Sequence, residues 1–240
     1  MRFLIPVLLW FDLLACASTG EAPRMPYQTL LESNEVDLEG IMGCQNWVMG
    51  AIGDIAQLNA WKSSRKHSGQ LSLPTLVSKS QVIESRLEHG LELLSQSHGS
   101  LPWNSTGPPK SQRTALVTRL FAAGALVQLH TVTSGAYPGI SETRSAVLRA
   151  VAIIESIQEP QMVRGLVWPI CISACLAETG LQPFFQEVVT ATIGSRRDFG
   201  NCSTILQIIE ACWRRREMDQ NAECDWKSGM DDLGICALMV

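Results

Sequence analysis

A surplus of charge of either sign is missing from this 240-residue chain: 19 Lys and Arg stand against 23 Asp and Glu, a formal net charge of −4. Without a basic excess there is no whole-chain field to attract nucleic acid or an anionic membrane. The short catalytic signatures are missing too. No G-x-S-x-G, H-E-x-x-H, G-x-x-x-x-G-K-[ST] or G-x-G-x-x-G occurs, which removes the nucleophile elbow, the zinc-protease helix, the phosphate loop and the dinucleotide fingerprint as readings. Beyond the first segment no apolar run reaches the roughly 18 residues expected of a membrane span. No stretch shows the period-two alternation of a half-buried strand. What the chain does have is apolar content, 46% hydrophobic residues against 18% charged, enough at this length to bury a substantial core.

The first twenty residues, MRFLIPVLLWFDLLACASTG, support two readings. One is a secretory signal, with Arg2, an apolar run from Phe3 to Leu14, and small residues Ala15, Cys16, Ala17 and Ser18 at a cleavage-like site. The other is a helix of the fold. Leu4, Val7, Leu8, Phe11 and Leu14 recur at helical spacing, and Pro6 falls in the first turns, where a missing N–H costs least. Asp12 separates the two, because a carboxylate at the centre of a membrane helix costs about 2.5–3.5 kcal/mol, whereas in a protein helix it turns outward or takes a partner. The eight cysteines, at 16, 44, 171, 175, 202, 212, 224 and 236, and the sequons Asn104-Ser105-Thr106 and Asn201-Cys202-Ser203 would suit secretion. Yet a long apolar chain is unlike a disulfide scaffold. Cys171 and Cys175 lie one turn apart and Cys212 lies between Ile209 and Trp213, so free thiols packed on apolar helix faces are expected.

Helical stripes recur along the chain. Val48, Ile52 and Ile55 form one, with Trp47 and Trp61 at its ends, and Leu76, Val77, Ile83, Leu87, Leu91 and Leu94 form a second. Leu116, Leu120, Ala123 and Val127 form the cleanest, which continues to His130. After Ser141, a candidate N-cap, come Val147, Leu148, Val151 and Ile154. Segments 166–177, 184–193 and 205–213 add three more. Turn chemistry separates them at 64–69, 98–110, 134–139 and 193–201, and the 98–110 stretch reads as a loop insertion. The expected fold class is all-α, a single domain over 1–240.

No residue is assigned as catalytic, cofactor-binding or metal-ligating. His67 and His98 lie in polar segments, and His89 has Glu92 one turn on but no second ligand nearby. His130 extends an apolar stripe and reads as a buried histidine with a satisfied ring nitrogen; a convergent polar pocket around it would be needed to support an enzyme. Cys171 and Cys175 lack a second pair to complete a metal site. The run Trp213-Arg214-Arg215-Arg216 reads as cations at a helix C-terminus, where the macrodipole favours them.

Several motifs follow one another in a specific order. Gly165-Leu-Val-Trp168-Pro169-Ile-Cys-Ile-Ser-Ala-Cys175-Leu-Ala comes first, and Gly200-Asn201 then leads to Ile208-Ile209-Glu210-x-Cys212-Trp213. Cys224-Asp225-Trp226-Lys227-x-x-Met230 and the apolar end Leu238-Met239-Val240 complete the series. In order and spacing they resemble the C-terminal half of the fungal-specific transcription factor domain, in the branch of acriflavine-sensitivity and fruiting-body regulators. The resemblance extends upstream through Leu9-Trp10-Phe11-Asp12-Leu13, Gly43-Cys44-Gln45-Asn46-Trp47-Val48 and Ala60-Trp61-Lys62.

That resemblance implies a multi-helical regulatory domain, with the run LLWFDLLACAS, residues 8–18, as an internal core helix rather than a signal peptide. It further implies a domain lacking its earliest helices, with apolar surface near residues 1–16 that would favour self-association. It implies a nuclear transcription regulator working through protein partners, either the transcription machinery or a related regulator. The secreted all-α protein with disulfides is the alternative. The six-cysteine binuclear zinc cluster of relatives uses C-x-x-C pairs, and this chain contains no C-x-x-C. Zinc is therefore expected only in that DNA-binding module, and no cofactor, direct DNA binding or membrane association is expected of this chain.

Overall fold

The structure, a computed structural model, describes residues 4–33, 36–97, 110–158, 160–193 and 200–239. Among them are α1 (Leu4–Thr19), α2 (Tyr27–Glu32), α3 (Leu38–Met42), α4 (Asn46–His67), α5 (Leu73–Ser97) and α6 (Lys110–Ser134). These are followed by α7 (Ser141–Glu155), α8 (Val167–Cys175), α9 (Gln182–Ile193), α10 (Gly200–Met218) and α11 (Trp226–Leu233). Short 3-10 turns at Pro160–Gly165 and Thr179–Leu181 precede α8 and α9, and no strand occurs among the described residues. The 98–110 insertion lies, but for Lys110 at the start of α6, outside the described residues.

The fold is organised around α6. Every residue from 120 to 132 is buried, because α4, α5, α7 and α8 all pack against this helix. Over Ser111–Ser134 it is long and apolar enough to cross a membrane by length and composition, which the search for continuous apolar runs missed because Arg119 interrupts the run. Its neighbours account for that apolarity, since a helix that is apolar all round is a buried one. Close approach to α8 depends on Gly124: a Cβ there would fall 2.9 Å from Pro169 and 3.1 Å from the Trp168 ring. Trp168 stacks on Phe121 with centroids 5.7 Å apart, and Phe121 meets Trp10 of α1 at 5.1 Å. One aromatic ladder thus runs from α8 through α6 to α1.

In α1 the buried side chains are Pro6, Leu9, Trp10, Leu13, Leu14, Cys16, Ala17 and Ser18, while Leu4, Ile5, Leu8 and Phe11 are exposed. Most of the stripe read from the sequence therefore faces outward. The reason is physical: apolar residues surround α1, so periodicity cannot select a face. Asp12 accepts hydrogen bonds from the Arg24 and Met25 amides at 3.0 and 2.9 Å, which gives its carboxylate the partners that the core-helix reading requires.

Other local expectations also change. Residues 64–67 belong to α4, which continues to His67 before its chain reverses at Gly69, φ 68°. The N-cap of α7 is Ile140, not Ser141, whose hydroxyl instead donates to Glu142 at 2.6 Å. Val77 and Leu148 are 43% and 46% exposed, so they lie at the edges of their stripes. The remaining members of those two stripes are buried.

Remote side chains cap the ends of three helices. The last carbonyls of a helix have no intrahelical donor and carry partial negative charge, so donors from other elements serve them well. Gln128 donates to the Ala17 carbonyl of α1 at 3.2 Å, and Lys62 donates to the Val132 carbonyl of α6 at 2.6 Å. At the end of α8 the Trp213 indole N–H donates to the Ala174 carbonyl at 2.9 Å, and the Arg216 guanidinium donates to the carbonyls of Cys175 and Ala177.

Candidate functional site

The residues of the sequence motifs mostly build structure. Trp168, Trp213 and Trp226 are 1%, 7% and 4% exposed, which places all three in the core that joins α8, α10 and α11. Asp225 is the N-cap of α11, accepting from the Ser228 amide and hydroxyl, each at 2.9 Å. Met230 is buried, and its sulfur accepts from the Ala237 amide at 3.3 Å. The basic run has a wider role than its own helix end. Arg216 serves the end of α8, and Arg215 forms a two-pronged pair with Asp232 of α11 at 2.9 and 3.1 Å.

Cys16, Cys44, Cys171, Cys175, Cys212 and Cys224 are free and buried, and Cys236 is free and exposed. Cys171, Cys175, Cys212 and Cys224 meet where α8, α10 and the start of α11 converge. Cys212 and Cys224 donate to the same Asp225 carbonyl, at 3.1 and 3.8 Å. Burial pushes the Cys175 thiol well above its ordinary range; Cys212 rises mainly through its bond with Cys175, and Cys224 mainly through its bond with Cys212. Protonated buried thiols are poor nucleophiles. Among the described residues no group of three His, Cys, Asp or Glu side chains is placed to hold a metal ion.

One concave region among the described residues is a trough between α5 and α7, with α6 as its floor. The two outer helices lie on either side of α6 and both run antiparallel to it. Midway, Arg149 of α7 reaches Glu88 of α5 with two bonds of 2.8 and 3.0 Å. This strut separates a larger cavity of ≈ 590 Å³ near Glu92 and Arg119 from a smaller one of ≈ 210 Å³ around His130.

His130 projects from α6 into the smaller cavity. Among the described residues the ring makes no hydrogen bond, and Glu84 Oε1 lies 3.8 Å from Nε2, beyond hydrogen-bond reach. The side chain is 10% exposed. Burial pushes its pKa below the ordinary imidazole value, against the pull of Glu84, Glu142 and Glu88, so the neutral ring prevails at neutral pH. Glu142 is held below the usual carboxylate range by its bond from Ser141 and stays ionised. The sequence could not reveal this convergence, because it brings together residues 84, 88, 130, 142 and 149 from three helices. His89 is exposed on α5, His67 ends α4, and His98 lies outside the described residues.

Comparison with known proteins adds an independent finding. The profile of the fungal specific transcription factor domain matches residues 1–239. The transcription factor dibT of Pestalotiopsis microspora is 34% identical over 260 residues, covering all of this chain and 41% of the relative. The trichothecene biosynthesis transcription regulator TRI10 of Fusarium sporotrichioides is 30% identical over 241 residues, covering all of this chain and 54% of the relative. The ustiloxin B cluster transcription factor ustR of Aspergillus flavus is 28% identical, covering 98% of this chain and 42% of the relative. The chain thus spans about half the length of the curated relatives it matches. No solved structure matches it.

Proposed function

Because the chain belongs to the fungal-specific transcription factor domain family, we propose that it regulates transcription in the nucleus, through contacts with proteins rather than through catalysis or direct contact with DNA. The observation that carries this reading is the family match along the whole chain, joined to relatives named as regulators of biosynthetic genes. Genes of a biosynthetic cluster are accordingly the proposed targets. The packing of α1 into the core, with Leu9, Leu13 and Leu14 fully buried, supports a regulatory domain in which residues 4–19 are structural.

The charge pattern supports the lack of DNA contact. Duplex binding requires phosphates to be neutralised and base edges to be reached. This chain carries −4 overall, and Arg215 and Arg216 are engaged within the fold. The partner in this reading is the transcription machinery or a related regulator.

Two measurements test the proposal. Tethering the full chain to a heterologous DNA-binding module upstream of a reporter should change reporter output; an unchanged output defeats the regulatory reading. In a mobility-shift assay the purified chain should leave duplex DNA unshifted, and sequence-selective, salt-sensitive binding would overturn the claim that it acts only through proteins.

A further inference from the structure

We propose that the cavity at His130 binds a primary ammonium ion on a short alkyl chain. The walls of the cavity carry three carboxylates, Glu84 and Glu88 on α5 and Glu142 on α7, against one cation, Arg149, whose Nη1 is bonded to both oxygens of Glu88. With the ring neutral, the cavity walls therefore carry a net negative charge, with Glu84 and Glu142 not bonded to the guanidinium. The buried imidazole, unbonded within the fold, offers a ring nitrogen lone pair beside those carboxylates. A carboxylate pair and a neutral acceptor together match the three N–H donors of an ammonium group.

The floor completes the match. Leu126 and Ala146 are buried and line the same cavity, providing apolar contact for a few methylenes beside the charged head. An anion would meet three carboxylates against one guanidinium already paired with Glu88, and an uncharged apolar ligand would leave the half-buried Glu84 without a replacement for its water. At ≈ 210 Å³ the space suits a small alkylamine or the end of a lysine side chain, and these two sources share one chemistry.

Protonation of His130 places a cation where the ammonium would sit. Glu84 and Glu88 face the ring from α5, and Glu142 and Arg149 face it from α7. Ligand binding should therefore weaken as pH falls and His130 takes up a proton, well before the carboxylates are neutralised.

The probe is n-butylammonium, titrated into the full chain at neutral pH and low salt, with binding read by calorimetry and by shifts of the His130 ring resonances. Saturable binding is expected, weakened about tenfold by Glu142→Gln and by Glu84→Gln, a loss in line with removal of one charge-assisted contact. Glu142 is exposed, so its variant keeps the fold and the test does not depend on altering the buried residue. His130→Gln, which keeps an acceptor, should bind better than His130→Leu. Butyrate should not bind. A blocked lysine, Nα-acetyl-lysine methylamide, identifies the source: binding equal to butylammonium points to a protein lysine, and weaker binding to a free amine. Absence of saturable binding, or binding insensitive to Glu142→Gln, overturns the proposal. The family reading does not depend on this result, since the reporter experiment tests it separately.

Discussion

Trp213 joins two kinds of stabilisation in one side chain. Its ring is buried between α8 and α10, and its N–H closes the end of α8 on the Ala174 carbonyl. Trp213→Ala should cost roughly 3–5 kcal/mol, whereas Trp213→Phe should lose less because it keeps most of the buried area; urea unfolding of both variants measures the difference. His130 gives a second prediction at this scale. Its pKa is lower folded than unfolded, so below the unfolded value the unfolded state binds more protons and stability falls as pH drops through that window. The urea midpoint should decline from about pH 7.5 to 5.5, and His130→Gln should flatten that decline. These residues were unequally legible in the sequence. Trp213 stood out through its motif, because a tryptophan at a fixed offset from an apolar stripe leaves a local mark. The unbonded ring of His130 left none, since it depends on what α5 and α7 bring near it.

At the scale of helices, α1 tests how a face is chosen. Leu9→Ala should cost about 2–5 kcal/mol, while Leu8→Ser, one residue away on the exposed face, should change stability by no more than about 0.5 kcal/mol. Equal losses in thermal melts would show that both faces are packed. The approach of α2 to α4 is equally exacting. A Cβ on Gly53 would lie 2.6 Å from the Tyr27 ring, and Tyr27 donates to Asp54 at 2.6 Å. Gly53→Ala should therefore cost about 1–3 kcal/mol through overpacking, read from the shift in melting temperature. Helices α4 to α10 were legible because each carries several turns of stripe. By contrast α2 and α3, at 6 and 5 residues, are too short for periodicity to register. Their places are fixed by contacts such as Asn46 donating to the Val36 carbonyl at 2.7 Å.

For the whole molecule, α6 sets the order of stability. Amides of residues 120–132 should exchange with solvent only through global unfolding, and those of α11, a short helix near the chain end, should exchange through local opening. Hydrogen exchange followed by mass spectrometry distinguishes the two; equal protection would show that α6 has no privileged place. The importance of α6 was visible in the sequence as the cleanest stripe, but the identity of its neighbours was not, because burial on every side reveals nothing about which helix covers which side. The same feature has a consequence during synthesis. Helices α1, α4 and α5 leave the ribosome before the helix they share as a neighbour has been made, so Trp10 waits for Phe121 and the Ala17 carbonyl waits for Gln128. At translation rates of about 5–20 residues per second, that leaves the nascent first half of the chain for seconds with apolar faces uncovered, a client for chaperones until residue 134 emerges.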